Sequence, residues 1–155
     1  MVTLEEFIMQ HRFDLSALEP KAYKPMLGLE GYLDQTDLEP KLKELIKVRA
    51  SIINGCAFCI QMHTDKAKSL GETDHRLFAV AAWKESPLFT DEERAVLALT
   101  DEVTEIAKGG VSEEVYQACI KLMGEHKTAQ CLMQIVTINA WNRIALTTRM
   151  YHEAE

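Results

Sequence analysis

The chain is predicted to be all-α: nearly every segment between turn signals repeats its apolar residues with helical spacing, few runs alternate with period two, and no strand-rich block stands apart. With 155 residues, 47% of them hydrophobic and 26% charged, it is long enough for one domain with a sizeable core and has no compositional break for a second. The expected division is an N-terminal helical arm over 1–37 and one globular helical unit over 38–155.

Along the chain, Pro20 to Gly31 reads equally as a short helix or an irregular arm. Leu38 to Asn54 reads as a helix with Asp37 as N-cap, Pro40 in the first turn, and a stripe of Leu42, Leu45, Ile46, Ile52 and Ile53. Asn54-Gly55 breaks it, and the next helix starts near Cys56 and stops at Gly71 as a left-handed C′ residue. A short helix is expected from Asp74 to Lys84. The capping-box sequence Thr90-Asp91-Glu92-Glu93 opens an amphipathic helix that runs to Lys108 and is closed by Gly109-Gly110. Ser112 caps a further helix ending near Gly124, and a long one from Lys127 to Met150 completes the chain. Its middle, Leu132 to Leu146, is apolar on most sides, which predicts packing all round and hence a subunit interface. Trp83 and Trp141 read as core or interface anchors.

Composition excludes several functions. A net charge of −7 with scattered Lys and Arg argues against nucleic acid. The opening MVTLEEFIMQHRFDL lacks the basic and apolar regions of a secretory signal, and no apolar run reaches the ~20 residues of a membrane span. Four cysteines without an export signal point to the cytoplasm, where thiols serve as ligands, catalysts or core residues. Cys119 and Cys131, isolated in helical patterns, read as buried apolar residues.

Chemistry concentrates in Glu44-x11-Cys56-x2-Cys59-x3-His63. On a helix at ~100° per residue, Cys56, Cys59 and His63 share one face, so the imidazole can reach a thiol. A thiol pair at a helix N-terminus meets unpaired N–H groups and the positive end of the helix dipole, which favour the thiolate and favour it most at Cys56. A thiolate that attacks a peroxide becomes a sulfenic acid, and a second cysteine three positions away can condense with it to a disulfide. His63 suits proton transfer near neutral pH, and a back-folded helix would bring Glu44 to it. By the helical wheel Glu44 lies off the apolar stripe, where a solvated carboxylate is the plain alternative. Arg49 falls near the middle of that stripe and requires a carboxylate partner or a route to water. Zinc is the rival reading of the cluster, with Cys119, His126 or Cys131 as a distant fourth ligand, but no second paired motif exists. Ile60 after Cys59 excludes a c-type haem site, and the preceding helix argues against a thioredoxin-like domain.

Together, the Glu-Cys-Cys-His signature, its surround LKELIKVRASIINGCAFCIQMHTDKA, the later AAWKESPLFTDEERAVLALTDEVT and the closing INAWNR resemble the single-repeat AhpD-like alkylhydroperoxidases of the carboxymuconolactone decarboxylase superfamily over roughly Leu38 to Met150. The resemblance implies an all-helical bundle assembled as a homo-oligomer, a trimer or hexamer, that reduces alkyl or hydrogen peroxides without a metal or other cofactor. It assigns Cys59 as the peroxidatic thiol, Cys56 as the resolving thiol, and His63 and Glu44 as the proton relay. It further implies re-reduction by a dithiol or a lipoyl-bearing adaptor protein. The best-known members carry histidine before the second cysteine, where this chain has Phe58. The decarboxylase members act on a lactone and lack the cysteine pair, so the pair favours the redox branch. The alternative function on the same pair is a non-catalytic redox sensor or stress-response protein.

Overall fold

The computed structural model describes residues 10–152. Much of the opening stretch read for a secretory signal, residues 1–9, lies outside the described residues. Seven α-helices, α1 (Leu15–Leu18), α2 (Pro20–Asp34), α3 (Pro40–Asn54), α4 (Ala57–Ser69), α5 (Asp74–Ala79), α6 (Asp91–Thr104) and α7 (Glu113–Thr148), with short 3₁₀ turns over Val80–Glu85 and Ile106–Lys108, make up the described fold, and no strand occurs among them. The all-α expectation therefore stands.

Helix α3 is the axis of the molecule because both of its faces are covered. Leu42, Ile46 and Ala50 pack with Ala95, Val96 and Leu99 of α6 and with Ile135 and Ile138 of α7. Leu45 and Val48 join Ala67 of α4, Leu77 of α5, Trp83 and Leu97 in a second cluster. Burying each such aliphatic side chain is worth about 1.5–3 kcal/mol, which fixes α4 against α3 and thereby holds the cysteine turn.

The ends of the elements refine the sequence expectations. Helix α3 starts at Pro40 rather than Leu38, and its N-cap is Glu39, not Asp37: the Glu39 carboxylate accepts from the Leu42 N–H, and Pro40 fills the position that needs no donor. Gly55 closes the helix at φ 70°, a left-handed conformation costly for any residue with a Cβ. The predicted capping box at Thr90 and Glu93 is present, but α6 ends at Thr104, and only a 3₁₀ turn reaches Lys108. Likewise α5 ends at Ala79, and a 3₁₀ segment continues to Glu85. Gly124, at φ 77° and ψ 170°, breaks α7 where a boundary was expected.

The undecided Pro20 to Gly31 stretch is helical, and Lys43 fixes its far end by donating to the carbonyls of Leu33 and Thr36. Helix α2 lies on the last helix: Tyr23 meets Trp141 edge-on at 5.3 Å, and the Trp141 indole N–H donates to Glu30 at 2.8 Å. Within the chain α7 is not packed all round, because Leu132, Val136 and Leu146 remain exposed.

Candidate functional site

The Asn54-Gly55 turn places Cys56 as the N-cap of α4, with the Cys59 N–H pointing at the Cys56 sulfur over 3.3 Å. Here the thiol takes the place usually held by Ser or Asp, facing unsatisfied helix donors that stabilise a thiolate. Cys56 and Cys59 are joined as a disulfide, with 5.3 Å between their Cα atoms. Both are almost fully buried and pack with Ala145 of α7 and with Phe58.

One turn past Cys59, the His63 ring turns back toward α3. Its Nδ1 lies 3.0 Å from Glu44 Oε2, while Lys47 Nζ donates to Glu44 Oε1 at 3.1 Å. An ionised carboxylate only accepts, so Nδ1 carries the hydrogen of this contact and Nε2 is left to exchange a proton. Burial pushes the Glu44 carboxyl upward, but the hydrogen bond from His63 and the charge of Lys47 outweigh it and hold the group below the usual carboxylate range. Glu44 is thus not the solvated carboxylate of the plain reading: it is 5% exposed. Lys47 went unnoticed in the sequence because a lysine beside a helix stripe carries no signal of its own.

Two cavities border the disulfide. One, of about 350 Å³, is lined by Cys59, His63, Met62, Tyr23, Leu27 and Trp141, with Glu30 on its polar side. The other, of about 370 Å³, is lined by Cys56, Gly55, Leu146, Tyr151, Arg149 and His152. Trp141 is therefore a cavity wall, whereas Trp83 is a core anchor whose indole N–H donates to Asp101 at 3.2 Å. Residues this far apart in the sequence gave no hint that they share a cavity.

Behind the turn, Asn54 donates to Asn139 and Asn142, each at 2.9 Å, Asn142 donates to Ser51 at 3.0 Å, and Asn139 donates to Thr104 at 3.0 Å. This network ties the residue before the left-handed Gly55 to α7, so the cysteine turn is fixed from below. Arg49 has the partner its position demanded: its guanidinium grips Asp101 through Nε and Nη2 and donates to the Val80 and Ala81 carbonyls. It is a structural ion pair, and its hydrogen bonds go to Asp101, Val80 and Ala81 rather than to a thiol.

Cys119 and Cys131 lie fully buried in the α3–α6–α7 core, as expected of small apolar residues. Burial pushes their thiols up to about 11 and about 12. His126 is exposed, and among the described residues no group of three or more His, Cys, Asp or Glu is placed to hold a metal. Nor is any helix among them long and apolar enough to cross a membrane.

The pattern of the carboxymuconolactone decarboxylase family matches residues 20–102. The uncharacterised protein YdfG of Bacillus subtilis is 36% identical over 138 residues, which cover 89% of this chain and 94% of YdfG. A structure from Agrobacterium tumefaciens, of a protein of unknown function suggested to be the antioxidant defence protein AhpD, superposes with a TM-score of 0.91 at 36% identity, covering 94% of this chain and all of that one. A peroxidase-related protein from Ralstonia eutropha JMP134, described as an alkylhydroperoxidase AhpD core, shares the fold at a TM-score of 0.77 and 20% identity over 89% of this chain and 74% of its own. On these grounds the chain belongs to the carboxymuconolactone decarboxylase family, as an AhpD-like member.

Proposed function

We propose that the protein is a thiol-dependent peroxidase that reduces alkyl or hydrogen peroxides through the Cys56–Cys59 pair. The observation that carries this reading is the shared cavity of Cys59 and His63 beside a formed Cys56–Cys59 disulfide, with Glu44 bonded to the far side of the imidazole.

In the reduced protein His63 takes the Cys59 proton at Nε2, and the thiolate attacks the terminal oxygen of a hydroperoxide held in the apolar cavity. The O–O bond breaks, the leaving alkoxide recovers the proton from His63, and Cys59 is left as a sulfenic acid. Cys56 then attacks the Cys59 sulfur, water leaves, and the disulfide forms. One hydroperoxide and two thiols become one alcohol, one water and one disulfide. Glu44, kept ionised by the hydrogen bond from His63 and the charge of Lys47, stabilises the imidazolium between the two proton transfers. Phe58, where better-known relatives carry histidine, offers an apolar wall and no proton, so the relay rests on His63 and Glu44.

A dithiol or lipoyl-bearing adaptor returns the disulfide to thiols, and the protein acts in the cytoplasm. The exposed Leu132 and Val136, one turn apart on α7, favour a homo-oligomer, a trimer or hexamer, in which they are covered. Light scattering that finds a stable monomer removes that part of the reading.

The test is to mix reduced protein with limiting cumene hydroperoxide, with and without dihydrolipoamide, and to follow both peroxide and free thiols. Loss of the Cys56 and Cys59 thiols with continued turnover supports a peroxidase. Oxidation that halts after one equivalent in the presence of the dithiol supports a redox sensor instead.

A further inference from the structure

The cavity shared by Cys59 and His63 holds a charge that the redox chemistry does not call on. Its walls are made by Tyr23, Leu27, Phe58, Met62 and Trp141, and among them stands the half-buried carboxylate of Glu30. A carboxylate against apolar side chains gives up hydration, and that cost needs an offset. The hydrogen bond that Glu30 accepts from the Trp141 indole, at 2.8 Å, supplies part of one. An uncharged acceptor such as glutamine would satisfy the indole equally, so the bond accounts for an oxygen at this point and not for its charge.

The rest of the wall leaves that charge standing. Cys59 and His63, which also line the cavity, exchange a single proton, and they sum to zero either as thiol and imidazole or as thiolate and imidazolium. Behind the imidazole, Glu44 is set against Lys47 at 3.1 Å, so the relay adds no net charge of its own. Among the described residues no Lys or Arg lies within ion-pair distance of Glu30, and Arg149 borders the Cys56 cavity, not this one. A substrate beside Cys59 therefore meets a negative wall at each stage of the proton exchange.

We propose that Glu30 is a specificity-determining residue: it reserves the Cys59 cavity for compact, uncharged organic hydroperoxides and turns away compact hydroperoxides that carry a carboxylate. The inference deepens the peroxidase reading given above and rests on it. At about 350 Å³ the cavity lies at the small end of the ~300–1,000 Å³ of ligand pockets, so a compact body with its peroxide at Cys59 keeps its far end near Glu30. In a site partly withdrawn from water two like charges at that range repel, and a neutral substrate is spared the penalty. Discrimination of this kind is built by an unpaired charge set against the wrong ligand, not by a new contact to the right one. Tyr23, Phe58 and Trp141 supply the attraction, which any apolar or aromatic body shares.

The experiment compares the intact protein with Glu30→Gln, which keeps an acceptor for the Trp141 indole and removes the charge. One readout is the ratio of kcat/KM for cumene hydroperoxide to that for its para-carboxylate derivative, with dihydrolipoamide as reductant. The other needs no peroxide: reduced protein is alkylated by iodoacetamide or by iodoacetate, and fragmentation mass spectrometry follows the label on Cys59. The Cys59 thiolate repels an anion in every variant, so the change in each ratio is what is read. Glu30→Gln is expected to lower the preference for the neutral reagent by about fivefold in both. Asp34→Asn, at an exposed position of the same helix outside the cavity, removes the same unit of net charge and is expected to leave both ratios within about twofold. Ratios unchanged in Glu30→Gln, or moved as far by Asp34→Asn, overturn the proposal. If neither peroxide is consumed, the peroxidase reading falls, and the alkylation ratio still decides whether Glu30 screens charge at Cys59.

Discussion

Cys56 and Cys59 are as deeply buried as Cys119 and Cys131, yet the two pairs occupy opposite chemical environments. The first pair sits on a helix N-terminus, with an N–H aimed at one sulfur and cavities on both sides. The second is enclosed by Leu, Ile and Val side chains of α3, α6 and α7, and desolvation above all drives its thiols far above neutral pH. Burial by itself therefore says nothing about the reactivity of a cysteine. What matters is whether the protein supplies donors to the thiolate and a path for the oxidant.

The largest effect that tests this contrast is on turnover. Cys59→Ser is expected to lower dithiol-supported peroxide consumption by more than about a thousandfold, because it removes the thiol that shares a cavity with His63. Cys131→Ala is expected to keep it within about twofold, since the core thiol stays protonated at working pH. Cys56→Ser permits one turnover and then accumulates sulfinic acid at Cys59, visible by intact mass. Comparable losses in Cys59→Ser and Cys131→Ala would erase the distinction between the pairs.

The relay comes next. His63→Gln is expected to cost about a hundredfold in turnover, the lower end of what a positioned acid–base group supplies. Turnover falls in acid as the imidazole is protonated and can no longer take the Cys59 proton, and His63→Gln removes that limb of the profile. Lys47→Met is expected to lower turnover less than His63→Gln does, because Glu44 loses one of the two donors that fix it beside the imidazole. Unchanged turnover assigns Lys47 a packing role only. A smaller, direct comparison is alkylation: iodoacetamide on the reduced native protein should label the Cys56–Cys59 pair and reach Cys119 and Cys131 only after denaturant is added.

Local chemistry was readable from the sequence wherever a residue's own neighbours set it. The capping box at Thr90, the left-handed Gly71, the breaks at Gly55 and Gly124 and the placement of Cys56, Cys59 and His63 on one helix face all follow from short-range rules. Arg49 shows the limit: its misplaced charge predicted an ion pair, but only the fold names Asp101, 52 residues away. Glu44 was harder, because the wheel assigned its side of α3 to solvent. In the fold α4 packs on α3 and the end of α2 reaches Lys43, so Lys43, Glu44 and Lys47 are all buried and each finds a polar partner. The cavity walls were not legible at all, since Tyr23, Leu27 and Trp141 meet Cys59 only once α2 lies on α7.

The smallest effect concerns stability in acid, and it separates the relay carboxylate from ordinary surface carboxylates. Glu44 is held below its ordinary value of 4.5 in the folded chain, so the folded state binds its proton less readily than the unfolded one. Its stabilisation is fully present above the unfolded value and is lost as pH falls through the lower, folded value. Glu44→Gln removes a carboxylate that two buried donors share, a loss of about 1–3 kcal/mol at neutral pH. The gap between wild type and Glu44→Gln in urea unfolding should therefore narrow as pH falls below the unfolded value. A gap that stays constant throughout would mean that Glu44 contributes packing rather than charge. The buried carboxylate would then no longer distinguish the surroundings of Cys59 from those of Cys131.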